Sequence, residues 1–302
     1  MRIASLLPSA TEILYALGLG DSVIAVSERC DYPDDARRKP VVVRSRIDSS
    51  RAQAEIDAQV NRLLTARESL YQVDIEQLVR LQCDLLITQD VCHVCAASPQ
   101  DLQATSTGLQ CPARVISLNP HRLAEVWKDI EHLGEAAGRA REGKRLAAEL
   151  AARTQAVPTP GTAPRVLCLE WFSPPFVAGH WVPEMVACAG GQNALAIAGE
   201  PGFATEWGRV LASNPDVIVL MPCGYDLDEV ERQAQTFAWP EGWGDLKAVR
   251  TESVFVVDAS GQFSRHGPRL ADGVDTLRAI LDAFQHGQSA GRRGAHWRRL
   301  AA

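Results

Sequence analysis

The sequence predicts an α/β protein. Two Rossmann-like lobes with mostly parallel sheets are joined by one long backbone helix, with a ligand cleft between the lobes. Three observations predict it. Apolar runs of strand length alternate with helical segments through residue 121. A helical stretch with no strand signal occupies residues 122–157. The alternation then restarts and continues to residue 285. Repeated β-α-β units make mostly parallel sheets covered by helices. The expected division is an N-terminal lobe (1–121), a connecting helix (122–157), a C-terminal lobe (158–285) and a basic tail (286–302).

In order, "RIASLL" is a strand. "SATEILYALG" is a helix that Ser9 or Thr11 caps, with Ile13, Leu14 and Leu17 as its apolar stripe and Gly18 at its end. "SVIAVS" is a strand and "CDYPDDARRKP" a turn-rich loop. "SRAQAEIDAQVNRLLTAR" and "DIEQLVRLQ" are helices, and the second leads into the strand "DLLITQ". "SPQDLQATSTG" is a short helix and "ARVISL" a strand. From Arg122, the residues Leu123, Val126, Trp127, Ile130 and Leu133 keep helical spacing. Gly138 is a point of bending or breakage, and Pro158 and Pro160 stop the stretch. The second half reads as the strands "RVLCLEWF", "DVIVLMP" and "SVFVVDA". Between and after them come the helices "WVPEMVACAGG", "TEWGRVLASN", "DLDEVERQAQTFA" and "PRLADGVDTLRAILDAF". The tail "HGQSAGRRGAHWRRLAA" has four Arg and no acid, and reads as disordered.

The composition excludes some functions. With 46% apolar and 23% charged residues, the 302-residue chain has the make-up of a globular protein with ample core. A net charge of −6 gives no reason to expect a nucleic-acid partner. No apolar run approaches the roughly 20 residues of a membrane span, so membrane insertion is not expected. The start, "MRIASLLPSATEILYALGLG", carries no export signal, because its apolar run is short and Pro8 interrupts it. The expected compartment is the cytoplasm, or the periplasm or cell exterior if the start codon is misplaced. H-E-x-x-H is missing; G-x-S-x-G occurs only as Gly287–Gly291 in the basic tail, and G-x-x-x-x-G-K only as Gly138–Lys144 inside the helical stretch, followed by Arg145 where a phosphate-binding loop has Ser or Thr, so neither stands at a strand end. No catalytic residue is named and a binding protein is expected, the alternative being a metal- or iron–sulfur-bearing protein or enzyme that uses the cleft cysteines.

In parallel sheets, ligands bind beyond the carboxyl ends of the strands, and with two lobes the cleft between them is the default site. Four of the eight cysteines fall in strand-end loops: Cys30, Cys92, Cys95 and Cys223. Cys92 and Cys95 have C-x-x-C spacing around His93, which suits zinc, an iron–sulfur cluster or a redox pair. Cys30 and Cys223 would complete four thiolates. The alternative is that these are small cleft residues without metal. Aromatic residues gather at the same ends (Tyr32, Trp171, Phe172, Phe176, Trp181, Phe203, Trp207, Tyr225 and Phe263), and flat faces suit a large planar ligand, with about half of them expected to be core instead. Arg265 would pair with carboxylate, phosphate or amide groups. His266 would bind a metal or donate a hydrogen bond.

The segments "SLLPSATEILYALGLGDSVIAVSERCDYP", "DLLITQD", "SPPFVAGHWVPEMVACAGGQNAL", "LASNPDVIVL" and "SRHGPRLADG" carry a resemblance over roughly residues 2–284. The chain resembles the helical-backbone (class III) substrate-binding proteins of ABC importers, most closely their vitamin B12 (cobalamin)-binding branch. The resemblance implies two α/β lobes, a rigid connecting helix, and a corrinoid held between the lobes. Carried over by position, the pocket is Pro8, Cys30, Asp31, Tyr32, Gln89, Asp90, Phe176, Phe203, Gln262, Phe263 and Arg265. The chain departs at Gln89 and Phe203, where the family pattern has Trp, and in its extra thiols. A cleft thiolate or His93 would suit the cobalt of a corrinoid. The family's acidic contacts to a permease fall near Asp101 and Gly208, with Glu206 close by. One contact is thereby lost, and the resemblance joins the missing export signal in favouring a cytoplasmic carrier over an importer component.

Overall fold

The computed structural model describes residues 1–91, 96–97, 113–157, 161–287 and 294–300. The chain divides into two compact units. Unit 1 is Met1–Pro120 with Glu125–Glu149; unit 2 is His121–Ala124 with the residues from Leu150 onward.

Unit 1 is built on a six-stranded sheet. Its strands are β1 (Ile3–Ser5), β2 (Val23–Ser27), β3 (Val41–Ser45), β4 (Tyr71–Val73), β5 (Leu85–Gln89) and β6 (Arg114–Leu118), in the order β4-β3-β2-β1-β5-β6. All neighbours pair in parallel except β4, which lies antiparallel on the edge at β3. β1 and β5 are buried throughout, the pattern of strands covered on both faces. The helices α1 (Pro8–Ala16), α2 (Gln53–Thr65) and α3 (Ile75–Arg80) alternate with them. Pro8, not Ser9 or Thr11, opens α1: it stands in the first turn, where a missing N–H costs nothing. Asp74 caps α3 by accepting from the Gln77 N–H at 2.8 Å. The strand β3, with its core residues Val42 and Val43, stands directly after the loop read as turns.

The predicted connecting helix is two helices, α4 (Leu123–Ala136) and α5 (Ala140–Arg153). Gly138 separates them at φ +73°, a conformation that costs glycine little. The two helices approach closely: a Cβ on Gly143 would stand 3.0 Å from the Ile130 carbonyl oxygen.

Unit 2 has a seven-stranded sheet. Its strands are β7 (Arg165–Phe172), β8 (Pro175–Val177), β9 (Gln192–Asn193), β10 (Phe203–Ala204), β11 (Val217–Leu220), β12 (Val254–Val257) and β13 (Trp297–Arg299). The order is β10-β8-β7-β11-β12-β13, with β9 paired to β7. β7, β11 and β12 form the parallel centre and are almost wholly buried. The helices are α6 (Val182–Cys188), α7 (Trp207–Ser213), α8 (Leu227–Thr236), α9 (Lys247–Arg250), α10 (Ala259–Gln262) and α11 (Leu270–Gln285).

The tail read as disordered contributes β13, antiparallel to β12. Trp297 packs edge-on against Phe255 at 5.5 Å between ring centroids, and the Arg299 guanidinium lies 5.2 Å over the same ring. Arg298 reaches Asp228 and Glu231 on α8 at 2.6 and 2.5 Å. The acids that balance the basic tail are thus on a distant helix, where composition of the tail alone does not reveal them. Residues 288–293 and 301–302 lie outside the described part.

Candidate functional site

The sheet orders fix where a ligand would be met. In unit 1 the chain moves from β1 to β2 to β3 in one direction, and β5 and β6 lie on the other side of β1. The direction reverses between β1 and β5, and such a reversal opens a crevice outside the carboxyl ends of the strands. Pro8 follows β1 there, half-buried at the start of α1, and Gln89 and Asp90 end β5. Asp90 is exposed, with its N–H donating to the Leu118 carbonyl at 2.9 Å, while Gln89 is buried.

After β2 come Cys30, Asp31 and Tyr32. Cys30 is buried, and its N–H donates to the Ser27 carbonyl. Its Sγ lies 3.1 Å from the Thr11 hydroxyl, which also donates to Ser5 Oγ at 2.8 Å. This thiol is built into the base of the α1 turn. Asp31 is half-buried, and Tyr32 is 49% exposed beside a cis peptide bond to Pro33. Tyr32 is therefore the accessible aromatic face of unit 1 among the pocket residues named from the sequence. Cys92, His93 and Cys95 lie outside the described residues, as does Asp101.

In unit 2 the half-buried Trp171, at the end of β7, is the register partner of Phe176 on β8 and stacks on Tyr225 at 5.8 Å with 28° between the planes. Two backbone bonds hold this group. The Cys223 N–H donates to the Glu170 carbonyl at 3.1 Å, and the Ser260 N–H to the Tyr225 carbonyl at 2.9 Å. They draw the loops after β7, β11 and β12 together. Phe203 pairs with Val177 and so faces the other side of the sheet from Phe176. Arg209 lies 5.0 Å over its ring. Cys223 is exposed.

Trp181, Gln262, Phe263 and His266 are interior residues. The Trp181 indole N–H donates to the Phe263 carbonyl at 2.8 Å, and its ring lies 5.8 Å from His266. Gln262 accepts from the Thr276 hydroxyl at 2.7 Å. Burial pushes the His266 imidazole down to about 4, and neighbouring His180 adds to it, so the ring is neutral near pH 7. Arg265 is half-buried. Among the described residues, no three His, Cys, Asp or Glu side chains are placed to hold one metal ion.

Residues 3–260 match the periplasmic binding protein family. This chain belongs to that family. Similarity extends over nearly its whole length. It is 26% identical to the ABC transporter substrate-binding lipoprotein YvrC of Bacillus subtilis, over 94% of this chain and 81% of that one. It is also 26% identical to the vitamin B12-binding protein of Vibrio cholerae, over 94% of this chain and 90% of that one. Among solved structures, the periplasmic heme-binding protein BhuT, in complex with two hemes, aligns with a TM-score of 0.68 at 23% identity, over 94% of this chain and 98% of that one. The two-lobe α/β fold with mostly parallel sheets is that of the family.

Strand-end position places both Trp171 and Tyr225 among the gathered aromatics, and the structure adds that the two rings stack. Thr11 was read as a helix cap; its hydroxyl instead faces Ser5 and Cys30.

Proposed function

We propose that the protein is the ligand-capturing component of an ABC importer and takes a large planar metal chelate of the tetrapyrrole class, a corrinoid in the first instance. The observation that carries this is the aromatic face of Trp171, Phe176 and Tyr225 at the carboxyl end of β7. It occurs in a chain similar from end to end to a vitamin B12-binding protein. Stacked, half-buried rings offer apolar area and flat contact at little entropic cost. Arg265, half-buried in the same unit, supplements it as a donor to peripheral carboxylate or amide groups. The similarity to a lipoprotein and to a periplasmic protein favours work outside the cytoplasm and gives no support to a cytoplasmic carrier. For docking to a permease, Glu206 is the available acid: it is exposed at the start of α7, two positions before Gly208, whose Cα faces open space.

The test is a visible-absorption titration of the reduced protein with hydroxocobalamin, and with hemin in parallel. Saturable binding of hydroxocobalamin in preference to hemin supports the corrinoid assignment. Preference for hemin keeps the tetrapyrrole class and changes the ligand. Binding of neither overturns the proposal.

A further inference from the structure

A second chemical feature of unit 2 stands apart from the aromatic face. His121 and His180 have ring centroids 5.4 Å apart, with 36° between the planes. Both are half-buried. They come from segments far apart in sequence, and each segment is firmly held. Arg122 donates to Glu184 Oε1 at 2.6 Å and to the Ala198 carbonyl at 2.9 Å, and the Leu123 N–H donates to Glu184 Oε2 at 2.9 Å. These bonds fix the chain on the carboxyl side of His121. The His180 N–H donates to the Glu200 carbonyl at 2.6 Å, and its own carbonyl accepts from the Gly199 N–H at 2.9 Å. Next to it, Gly179 is packed so tightly that a Cβ there would lie 2.2 Å from the Gly202 nitrogen.

Within this clamp, His180 takes φ +52°. Side chains rarely adopt that region, and the strain persists only where the surroundings enforce it, most often at functional sites. A glycine would remove the strain, yet an imidazole stands here. Its Nε2 is buried and has no hydrogen-bond partner. A buried imidazole nitrogen left this way forfeits its solvation unless a ligand takes it.

We propose that His121 and His180 form a two-imidazole site for a late first-row divalent metal ion, such as Ni²⁺ or Cu²⁺. Imidazole suits these ions. With metal–nitrogen bonds of about 2.0–2.1 Å, two rings on one ion have centroids about 4.5 Å apart at a right angle and about 5.2 Å apart at the tetrahedral angle. The observed 5.4 Å stands within a few tenths of an ångström of the tetrahedral value and about 1 Å above the right-angle one, a gap that side-chain rotation closes. Two protein ligands leave the other positions open, to be filled by water or by the donor atoms of a chelator that arrives with the metal.

The site is tested by titrating the full chain with NiCl₂ and CuCl₂ while reading tryptophan emission and bound heat. Trp181 is the reporter, because its ring lies 5.5 Å from that of His180. The expected result is saturable binding of a single equivalent with quenched emission. His121→Gln and His180→Asn should each weaken it by roughly tenfold or more. Asn tolerates the left-handed backbone, so His180→Asn keeps the fold, which its circular dichroism and unfolding midpoint check. His132→Gln, an exposed position on α4, should bind as the unaltered protein does. Binding unchanged in both His121→Gln and His180→Asn, or no binding by the unaltered protein, overturns the proposal. Neither outcome bears on corrinoid binding, which is measured with the intact cofactor.

Discussion

Units 1 and 2 repeat one plan, parallel strands alternating with helices, and bury opposite ionisable chemistry. In unit 1, burial, with the charge of Glu125 adding to it, pushes the Asp129 carboxyl on α4 up to about 7. In unit 2, burial pushes His266 down to about 4. For Asp129 the folded value lies above the unfolded one, so its stabilising contribution is full below about pH 4 and is lost as pH rises through about 7. For His266 the folded value lies below the unfolded one, so its contribution is full above about pH 6.5 and is lost as pH falls through about 4. Acid therefore relieves unit 1 and burdens unit 2. Two halves with a common architecture are made separable by single buried groups.

The largest expected effect isolates unit 2. Trp181→Ala removes a buried ring and the bond to the Phe263 carbonyl, and should cost about 3–5 kcal/mol. Chemical denaturation followed by hydrogen exchange should show the loss in unit 2 peptides and not in β1–β5. An equal loss in both would mean that the two units unfold together and would break the comparison. Next, Asp129→Asn should stabilise unit 1 by about 2–3 kcal/mol near pH 8 and change little near pH 4. A gain of the same size at both pH values would show that packing, not charge, is at stake. The unaltered protein should lose about 2 kcal/mol from unit 2 between about pH 6.5 and 4, and His266→Gln should flatten that slope. A slope that survives the substitution assigns it to another group. The smallest effect sharpens the account of the thiols. Thr11→Val removes the hydroxyl beside Cys30 and should cost about 1 kcal/mol. Cys30 should remain slow to alkylate while exposed Cys223 reacts at least about tenfold faster.

Most of the central strands were legible because they are largely buried on both faces and read as apolar runs: β1, β2 and β5, then β7, β11 and β12; the edge strand β6 was legible from its buried Ile116 and Leu118, with Arg114, Val115 and Ser117 exposed. The strand "VVVRS" of β3 has the same signal and was hidden by the Pro- and Asp-rich loop before it. The strands β8 and β10, of three and two residues, are too short to show alternation; pairing to β7 and to each other makes them. β13 was illegible because its charges are balanced by Asp228 and Glu231, some 70 positions away. At the site, position relative to a strand end located Trp171, Tyr32 and Pro8. It could not tell a ring that faces outward from one that packs inward. Trp181, Phe263 and His266 also follow strands, yet they fill the interior of unit 2, where the Trp181 indole N–H donates to the Phe263 carbonyl and its ring lies against that of His266.

The most direct measurement of the central claim is the affinity for hydroxocobalamin of Trp171→Ala against the unaltered protein, by visible-absorption titration. If the aromatic face at the end of β7 holds the chelate, loss of the indole should weaken binding by about tenfold or more, with the unfolding midpoint nearly unchanged for this half-buried residue. Equal affinity in the two proteins would contradict the account and remove that face from the site.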